Sequence, residues 1–516
     1  MKQFRDIGSL SFLSFAGIVT SLCYTIAVAI VFGVSRDVEI FFAASQVFMV
    51  FAALAQAGQL TEAFIPIFQK IKVEQSVEQA HRAAGVMFVW LLVFATIVAT
   101  LVFIFSKAIV SVQVSGFSAS DQLRVAELLL VFCPLVVVQV GLAFLKGVAQ
   151  AEKIFLWPEW AGIAGSLISL AAVVFLYDMG AMALVIGLVS NVVLQFLVLS
   201  SGLLRNGFRF YLGMRSEFFS VREVFGKLLS TSFYALTAQV SAIAMTSALS
   251  NLPQGVLGAY NYAMRIFSKV GSVILRPITI IFFSHYSEAY ARGGSELNSL
   301  ADKALGFALA PIALSAVCCF AAGQYFLSAV FLGEKFPLEM IEVTYWFVVA
   351  YMLSFLASGF AQIARKVVVS IGQFNLLYFY LSLGRVLLAI LTLWLIAELA
   401  IPGVSVIILL NTLITAAVAG IVLYVKKREL FRFYRYGMLF KWLLVCVLAL
   451  SCNYYLMSVV TLPALGSSVL TDLLGGTLQA AITAFVTILL AWLINIEEVR
   501  VAFSWLASRI EKRTSQ

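Results

Sequence analysis

Four cations lie where the chain is otherwise apolar. Arg265, Lys269 and Arg276 are spaced by four and seven residues, so on a helix they share one face. Asn261 and Ser272 extend the stripe, and no acid follows until Glu288. Arg385 sits deep in a second apolar run. A charge in hydrocarbon is costly and by default faces a protein interior or a wet cavity. Arginine also presents a planar fork that grips phosphate oxygens bidentately. The chemistry on offer is therefore reversible binding of an anion, phosphate above all, within a membrane. Gln46, Gln56 and Gln59 and, in other runs, Gln139, Asn191, Gln195, Gln239 and Asn411 add neutral polar groups. Each alone could glue helices together, and together they could line a hydrated path able to hold sugars. Two duller readings stand beside this one. Lys269 and Arg276 could snorkel to an interface, or the cations could pair with Glu62, Glu127, Glu159 or Glu342, each near the end of an apolar run.

Other chemistry is poorly provided for. The six cysteines all lie in apolar runs without metal-ligand or redox spacing, and read as small core residues. The two histidines, His81 and His285, are too few for a histidine metal centre or triad. There is no phosphate-binding lysine loop, so the chain does not hydrolyse ATP. No paired-Asp cluster marks a glycosyltransferase. No metal and no cofactor are expected.

The elements that must position the cations follow from composition. Of 516 residues, 62% are hydrophobic and 11% charged, against roughly 45–50% and about 25% in soluble domains. Mean hydropathy is +1.03. These values exclude a soluble enzyme and a disordered regulator, and long apolar runs exclude a barrel of short alternating strands. The expected fold is all-α: a polytopic membrane protein of about 14 transmembrane helices. The spans are read at 8–33, 38–68, 84–111, 125–149, 156–177, 179–203, 226–250, 254–289, 303–332, 341–364, 368–397, 403–425, 436–461 and 473–494. The first resembles a signal peptide but is too long for one and reads as an uncleaved helix.

With the N-terminus inside and fourteen alternating spans, 26 of the 34 Lys and Arg fall on inner segments, Lys146 being counted with them, and four on outer loops. That asymmetry is the positive-inside rule. It explains the net charge of +9 without nucleic acid, and it places both termini in the cytoplasm. Residues 204–225, basic and aromatic, read as a helix on the inner leaflet. The chain then divides into an N-lobe (1–203, spans 1–6), that linker (204–225), a C-lobe (226–425, spans 7–12) and a C-terminal part (426–516) holding spans 13 and 14. This is two six-helix lobes plus a helix pair, an arrangement many transporters use.

Certain residues carry a resemblance. Phe32-Gly33, Phe41-Phe42, Ala63-Phe64-Ile65-Pro66 and Tyr262-Ala263-Met264-Arg265 resemble the lipid II flippase (MurJ-like) family of the multidrug/oligosaccharidyl-lipid/polysaccharide flippase superfamily, over roughly residues 10–340. The resemblance implies an alternating-access bundle in a bacterial inner membrane, a cationic cavity for a lipid pyrophosphate, and a groove near the last two spans for a polyprenyl tail. Arg265 matches the family's span-8 arginine. The family's arginines in spans 1 and 2 fall here at Ile18, Tyr24, Ala52 and Ala53, and the acid after the second of them at Thr25. Lys269, Arg276 and Arg385 could supply the missing charge. This departure favours an undecaprenyl-diphosphate-linked saccharide such as an exopolysaccharide or O-antigen repeat unit, with a lipid II-like precursor as the other cargo. Expected partners are that glycan lipid, membrane lipids and polysaccharide-assembly proteins. A membrane-embedded polymerase or ligase and a small-molecule antiporter of the same superfamily are the alternatives. Short outer loops poor in paired carboxylates oppose the first, and a cationic path opposes uptake of organic cations.

Overall fold

Fourteen long α-helices account for the described residues, which in this computed structural model are 2–55, 68–69, 71–211, 213, 221–291, 297–371, 373–426, 433–459, 468–496 and 499–500. In chain order they are α1 (Lys2–Phe32), α2 (Arg36–Ala55), α3 (Val77–Gln113), α4 (Ala119–Ala151), α5 (Leu156–Phe175), α6 (Ala181–Arg205), α7 (Val221–Ser250), α8 (Val256–Ala291), α9 (Leu297–Phe331), α10 (Leu338–Ser370), α11 (Phe374–Leu399), α12 (Ile401–Lys426), α13 (Phe433–Val459) and α14 (Val469–Leu493). Each overlaps one expected span, α2 matching only the part of 38–68 that lies among the described residues. Eleven are long and apolar enough to cross a membrane, judged on the described residues. The remaining three are α2, with Arg36, Asp37 and Glu39 in its first turn, α7, rich in Ser and Thr, and α8, which bears the cation stripe. Among the described residues there is no strand, only an isolated bridge between Gly333 and Phe336. This is a polytopic helical membrane fold.

The sparse polar residues sit where helices begin. Ser76, Ser118 and Ser468 cap α3, α4 and α14 by accepting from the N–H of Gln79, Asp121 and Thr471. Each side chain satisfies one of the backbone donors that a first turn leaves open. Acids in first turns, such as Glu78, Asp121 and Asp472, complement the positive end of the helix dipole.

Two compact units divide the chain. The first is Met1–Gly258 with Arg385–Ala397, the second Ala259–Gly384 with Glu398–Gln516. In the first, α4 packs on α2, α3 and α6, and α5 on α1 and α6. Phe132 of α4 meets Phe41 and Phe48 of α2, with ring centroids 6.4 and 5.6 Å apart. In the second, α9 packs on α10, α13 and α14, and α10 on α12. There Tyr262, Phe331 and Phe336 stack together, and buried Asp472 of α14 accepts from Ser328 of α9 at 2.7 Å.

Polar clusters lock both ends of the first unit. At the end where α2, α4 and α6 begin, Glu39 is 1% exposed. Its carboxylate accepts from the Gly255 N–H at 2.8 Å and from the N–H groups of Leu257 and Gly258, so α2 caps the start of α8. Arg36 neutralises it at 2.9 Å, reaches Asp121 at 3.4 Å and lies over the Phe117 ring. Asp37 pairs with Arg124, and the Gly116 N–H donates to Ser250 of α7 at 3.1 Å.

At the opposite end, where α3 and α5 begin, the centre is His81, 5% exposed. Its Nε2 lies 3.1 Å from Glu152 Oε1, whose other oxygen takes Lys72 at 2.6 Å. Its Nδ1 accepts from the Arg209 N–H at 3.4 Å. Because a backbone N–H can only donate, Nδ1 is the acceptor and Nε2 carries the proton to Glu152. Phe68 and Phe208 flank the ring. The connection after α6 is thus tied to α3. Residues 208–211 are not helical, so this part of the linker departs from the expected surface helix. Hydrogen bonding to His81 and packing of Phe208 and Phe210 on their neighbours give the segment a protein surface to bind instead of a membrane. Residues 212 and 214–220 of the linker lie outside the described set, as do Gln56, Gln59 and Glu62.

Close approach here requires glycine at 85, because a Cβ there would collide with the Tyr211 carbonyl. Backbone cannot swing aside as a side-chain tip can. Gly85→Ala should cost about 1–3 kcal/mol and lower the melting temperature in detergent. Gly162 of α5 is the control: a Cβ there meets nothing within 4 Å, so Gly162→Ala should hold or gain about 0.5–1 kcal/mol through helix propensity. Equal melting temperatures for the two variants would show that the linker does not press on α3.

Candidate functional site

The cation stripe occupies the middle of α8. The start of this helix, through Ala263, is mostly buried, whereas positions 264–274 are half-buried or exposed. One face is fixed by aromatic packing. Phe267 stacks on Tyr351 of α10, centroids 4.9 Å apart, and meets Phe355 edge-on at 5.2 Å. Tyr260 packs on Phe347 and Tyr351, and Gly271 faces Phe355. Arg265 and Lys269 each stand two residues from Phe267 in sequence, about 160–200° around the helix at 3.6 residues per turn. The cations therefore project from the side of α8 opposite α10.

Their surroundings are polar and only partly closed. Arg265 and Lys269 are half-buried, and Ser268 between them is exposed. Ser268 Oγ donates to the Arg265 carbonyl at 2.8 Å, and Ser272 Oγ to the Ser268 carbonyl at 2.7 Å. The two hydroxyls thereby turn their remaining lone pairs and their bulk along the same face. Arg265 Nε is sealed from solvent, so the stem is packed while the side chain as a whole stays partly open. Arg265 and Lys269 are close enough for their charges to repel. Like charges one helical turn apart destabilise a helix. No hydrogen bond or ion pair reaches the Lys269 ammonium among the described residues. An anion set between the two side chains would relieve the repulsion and give the Lys269 ammonium a partner.

Of the expected site residues, the structure brings Asn261, Arg265 and Lys269 onto this one stripe, with Asn261 9% exposed near its beginning. Arg276 continues the same helix, but its side chain lies outside the described residues. Gln46 is half-buried on α2, in the first unit. Arg385 is half-buried on α11 and is grouped with the first unit, next to Gly384 of the second. Neither is described together with the α8 stripe.

A second polar site escaped the reading of the sequence. Lys146, counted there with the inner-face residues, lies inside α4 with its ammonium on Gln195 of α6 at 3.0 Å. The signal was present, since Asn191 and Gln195 are spaced i, i+4 and face one way. Which helix they faced was not. The six cysteines are free thiols, and among the described residues no cluster of His, Cys, Asp or Glu could hold a metal.

Comparison with known proteins shows the family and the fold. The profile of the lipid II flippase MurJ family matches residues 28–474. The lipid II flippase MurJ of Burkholderia cenocepacia is 25% identical over 355 residues, 66% of this chain and 68% of its own. Among solved structures, a lipid II flippase MurJ in an inward closed conformation superposes with a TM-score of 0.74 at 15% identity, over 92% of this chain and 97% of that one. An inward-facing multidrug resistance transporter of the MATE family, MOP superfamily, superposes with a TM-score of 0.62, also at 15% identity, over 82% of this chain and 94% of its own. At such identities the two superpositions carry the fold alone.

The geometry of α8 makes a direct prediction about access. With the six cysteines replaced by alanine, Ser268→Cys should react readily with a charged methanethiosulfonate reagent, and Ser272→Cys more slowly. Phe267→Cys, on the packed face, should be slowest by about tenfold or more, as expected where reactivity follows exposure of the thiolate. Uniformly slow labelling at all three positions would mean that the stripe faces lipid tails.

Proposed function

This chain belongs to the lipid II flippase MurJ family, and we propose that it carries an undecaprenyl-diphosphate-linked saccharide across the bacterial inner membrane. The observation that carries the proposal is the pair Arg265 and Lys269, one turn apart on the side of α8 turned away from α10. Two mutually repelling cations, one with its ammonium unbonded among the described residues, suit a ligand with two adjacent phosphates. Arg265 offers a bidentate fork and Lys269 a point charge. Arg276 and Arg385 assist, and Asn261 and Gln46 offer amides to the sugar. The cargo is an exopolysaccharide or O-antigen repeat unit, or a lipid II-like precursor. The missing basic residues at Ile18, Tyr24, Ala52 and Ala53 favour the first two.

Transport makes and breaks no bond, so the chain is a carrier and not an enzyme. Both termini lie in the cytoplasm, as the basic residues imply. The lobes 1–203 and 226–425 rock to open the path to each leaflet in turn, linked by 204–225, with α13 and α14 in the C-terminal part 426–516 beside the lipid tail. An inside-negative potential favours outward movement of the anion by about 2.3 kcal/mol per charge per 100 mV. Other polysaccharide-assembly proteins supply the cargo and receive it.

Neutralising the fork tests this. A hydrogen bond to a charged group contributes about 1.5–3 kcal/mol, so Arg265→Ala should lower export of the lipid-linked saccharide by about tenfold or more at matched protein levels. Export is read by labelling glycan at the outer surface of cells, and Arg265→Lys should keep part of it. Full export by Arg265→Ala would overturn the assignment. Vigorous uptake of organic cations would favour the antiporter instead.

A further inference from the structure

The polar site around Lys146 lies wholly in the first unit. Lys146 stands five residues before the end of α4, yet its ammonium does not turn toward that end. Side chains tilt toward the N-terminus of their helix, which carries Nζ deeper into the bundle, onto Gln195 Oε1. Gln195 is ten residues from the end of α6, about 15 Å along the axis. From there a chain of hydrogen bonds continues. Gln195 Nε2 donates to Asn191 Oδ1, Asn191 Nδ2 to Ser169 Oγ at 2.9 Å, and Ser169 Oγ to the Gly187 carbonyl at 3.0 Å.

The direction of this chain is fixed at both ends. An ammonium only donates and a backbone carbonyl only accepts. Each amide between them must therefore turn its oxygen toward Lys146 and its NH2 away. All four links point the same way and polarise one another, with the negative end of each dipole toward the ammonium. The arrangement gives the ammonium an oriented acceptor in an apolar bundle. Its seat is closely built: a Cβ at Gly165 of α5 would stand 2.7 Å from Asn191 Oδ1 and 2.8 Å from Gln195 Cγ. Of the three ammonium donors, Gln195 takes one, and no other described residue hydrogen-bonds to the group. The side chain is half-buried, not sealed. Glu159 of α5 acts on it electrostatically.

We propose that Lys146 is a second phosphate-binding cation of the transport path, a subsite in the first unit for the diphosphate of the cargo. The proposal rests on the reading of the cargo given above. The amide chain holds the ammonium in place, and its two spare N–H groups take phosphate oxygens. Glu159 competes for the same charge and keeps the grip loose enough for release.

The test is a titration of the purified protein in dodecyl maltoside with undecaprenyl diphosphate, read by native mass spectrometry beside melting temperatures. Lys146→Met should weaken binding about tenfold at an unchanged melting temperature. Lys146→Arg should restore most of the affinity, and Glu159→Gln should bind several-fold more tightly. A purely structural pair would give lower melting temperatures in Lys146→Met and Glu159→Gln at unchanged affinity, which overturns the subsite. Should Lys146→Met not fold, Glu159→Gln decides alone: affinity no tighter than that of the unsubstituted protein overturns it. Arg265→Ala in parallel separates the two readings. If Arg265→Ala loses affinity while Lys146→Met does not, the subsite falls and the cargo stands. If Arg265→Ala binds normally, or the unsubstituted protein does not bind at all, the cargo reading falls and the subsite with it.

Discussion

A cation placed among lipid tails has to be answered by a dipole, a counter-charge or a ligand, because hydrocarbon supplies none of these. That constraint organises the polar interior of this molecule. The stripe on α8 sets Arg265 and Lys269 near each other, so their charges oppose one another. Lys146 is treated in the opposite manner, with a one-way series of amide and hydroxyl dipoles turned toward it.

The ends of the helices obey a related rule. Backbone donors in a first turn are open, and in a membrane protein they must be closed by side chains or exposed to water. Glu39 closes the start of α8 from α2, while Arg36 balances its charge. At the other end, His81 does comparable work for the chain after α6, with its tautomer set by the Arg209 N–H. A few short polar contacts thus fix where the helices begin and where residues 208–211 run, while the apolar faces supply most of the packing.

Much of the fold was legible in the sequence, because a membrane span has a length and a composition that solvent physics dictates. Each of the fourteen long helices among the described residues overlaps an expected span, and their boundaries differ mainly where a helix runs several residues past its apolar stretch, as α3 does in starting at Val77. The α8 stripe was legible for the same reason, since periodicity places Arg265 and Lys269 on one face whatever surrounds it. The linker was not. Its basic and aromatic residues look alike whether they lie on lipid or fold back onto protein, and Phe208 and Arg209 fold back because His81 and Gly85 leave them a place.

What the sequence determined by itself was the class of molecule, the long helices seen among the described residues and the face of α8 that carries charge. These depend on residues close together along the chain and on their preference for oil or water. Tertiary structure decided which helix each polar face met. Lys146 counted as an inner-surface lysine until α6 was packed beside α4, for only then does Gln195 stand at the reach of its side chain. Contacts between residues dozens of positions apart depend on packing angles and on gaps such as the one at Gly165, and no local pattern of residue types encodes them.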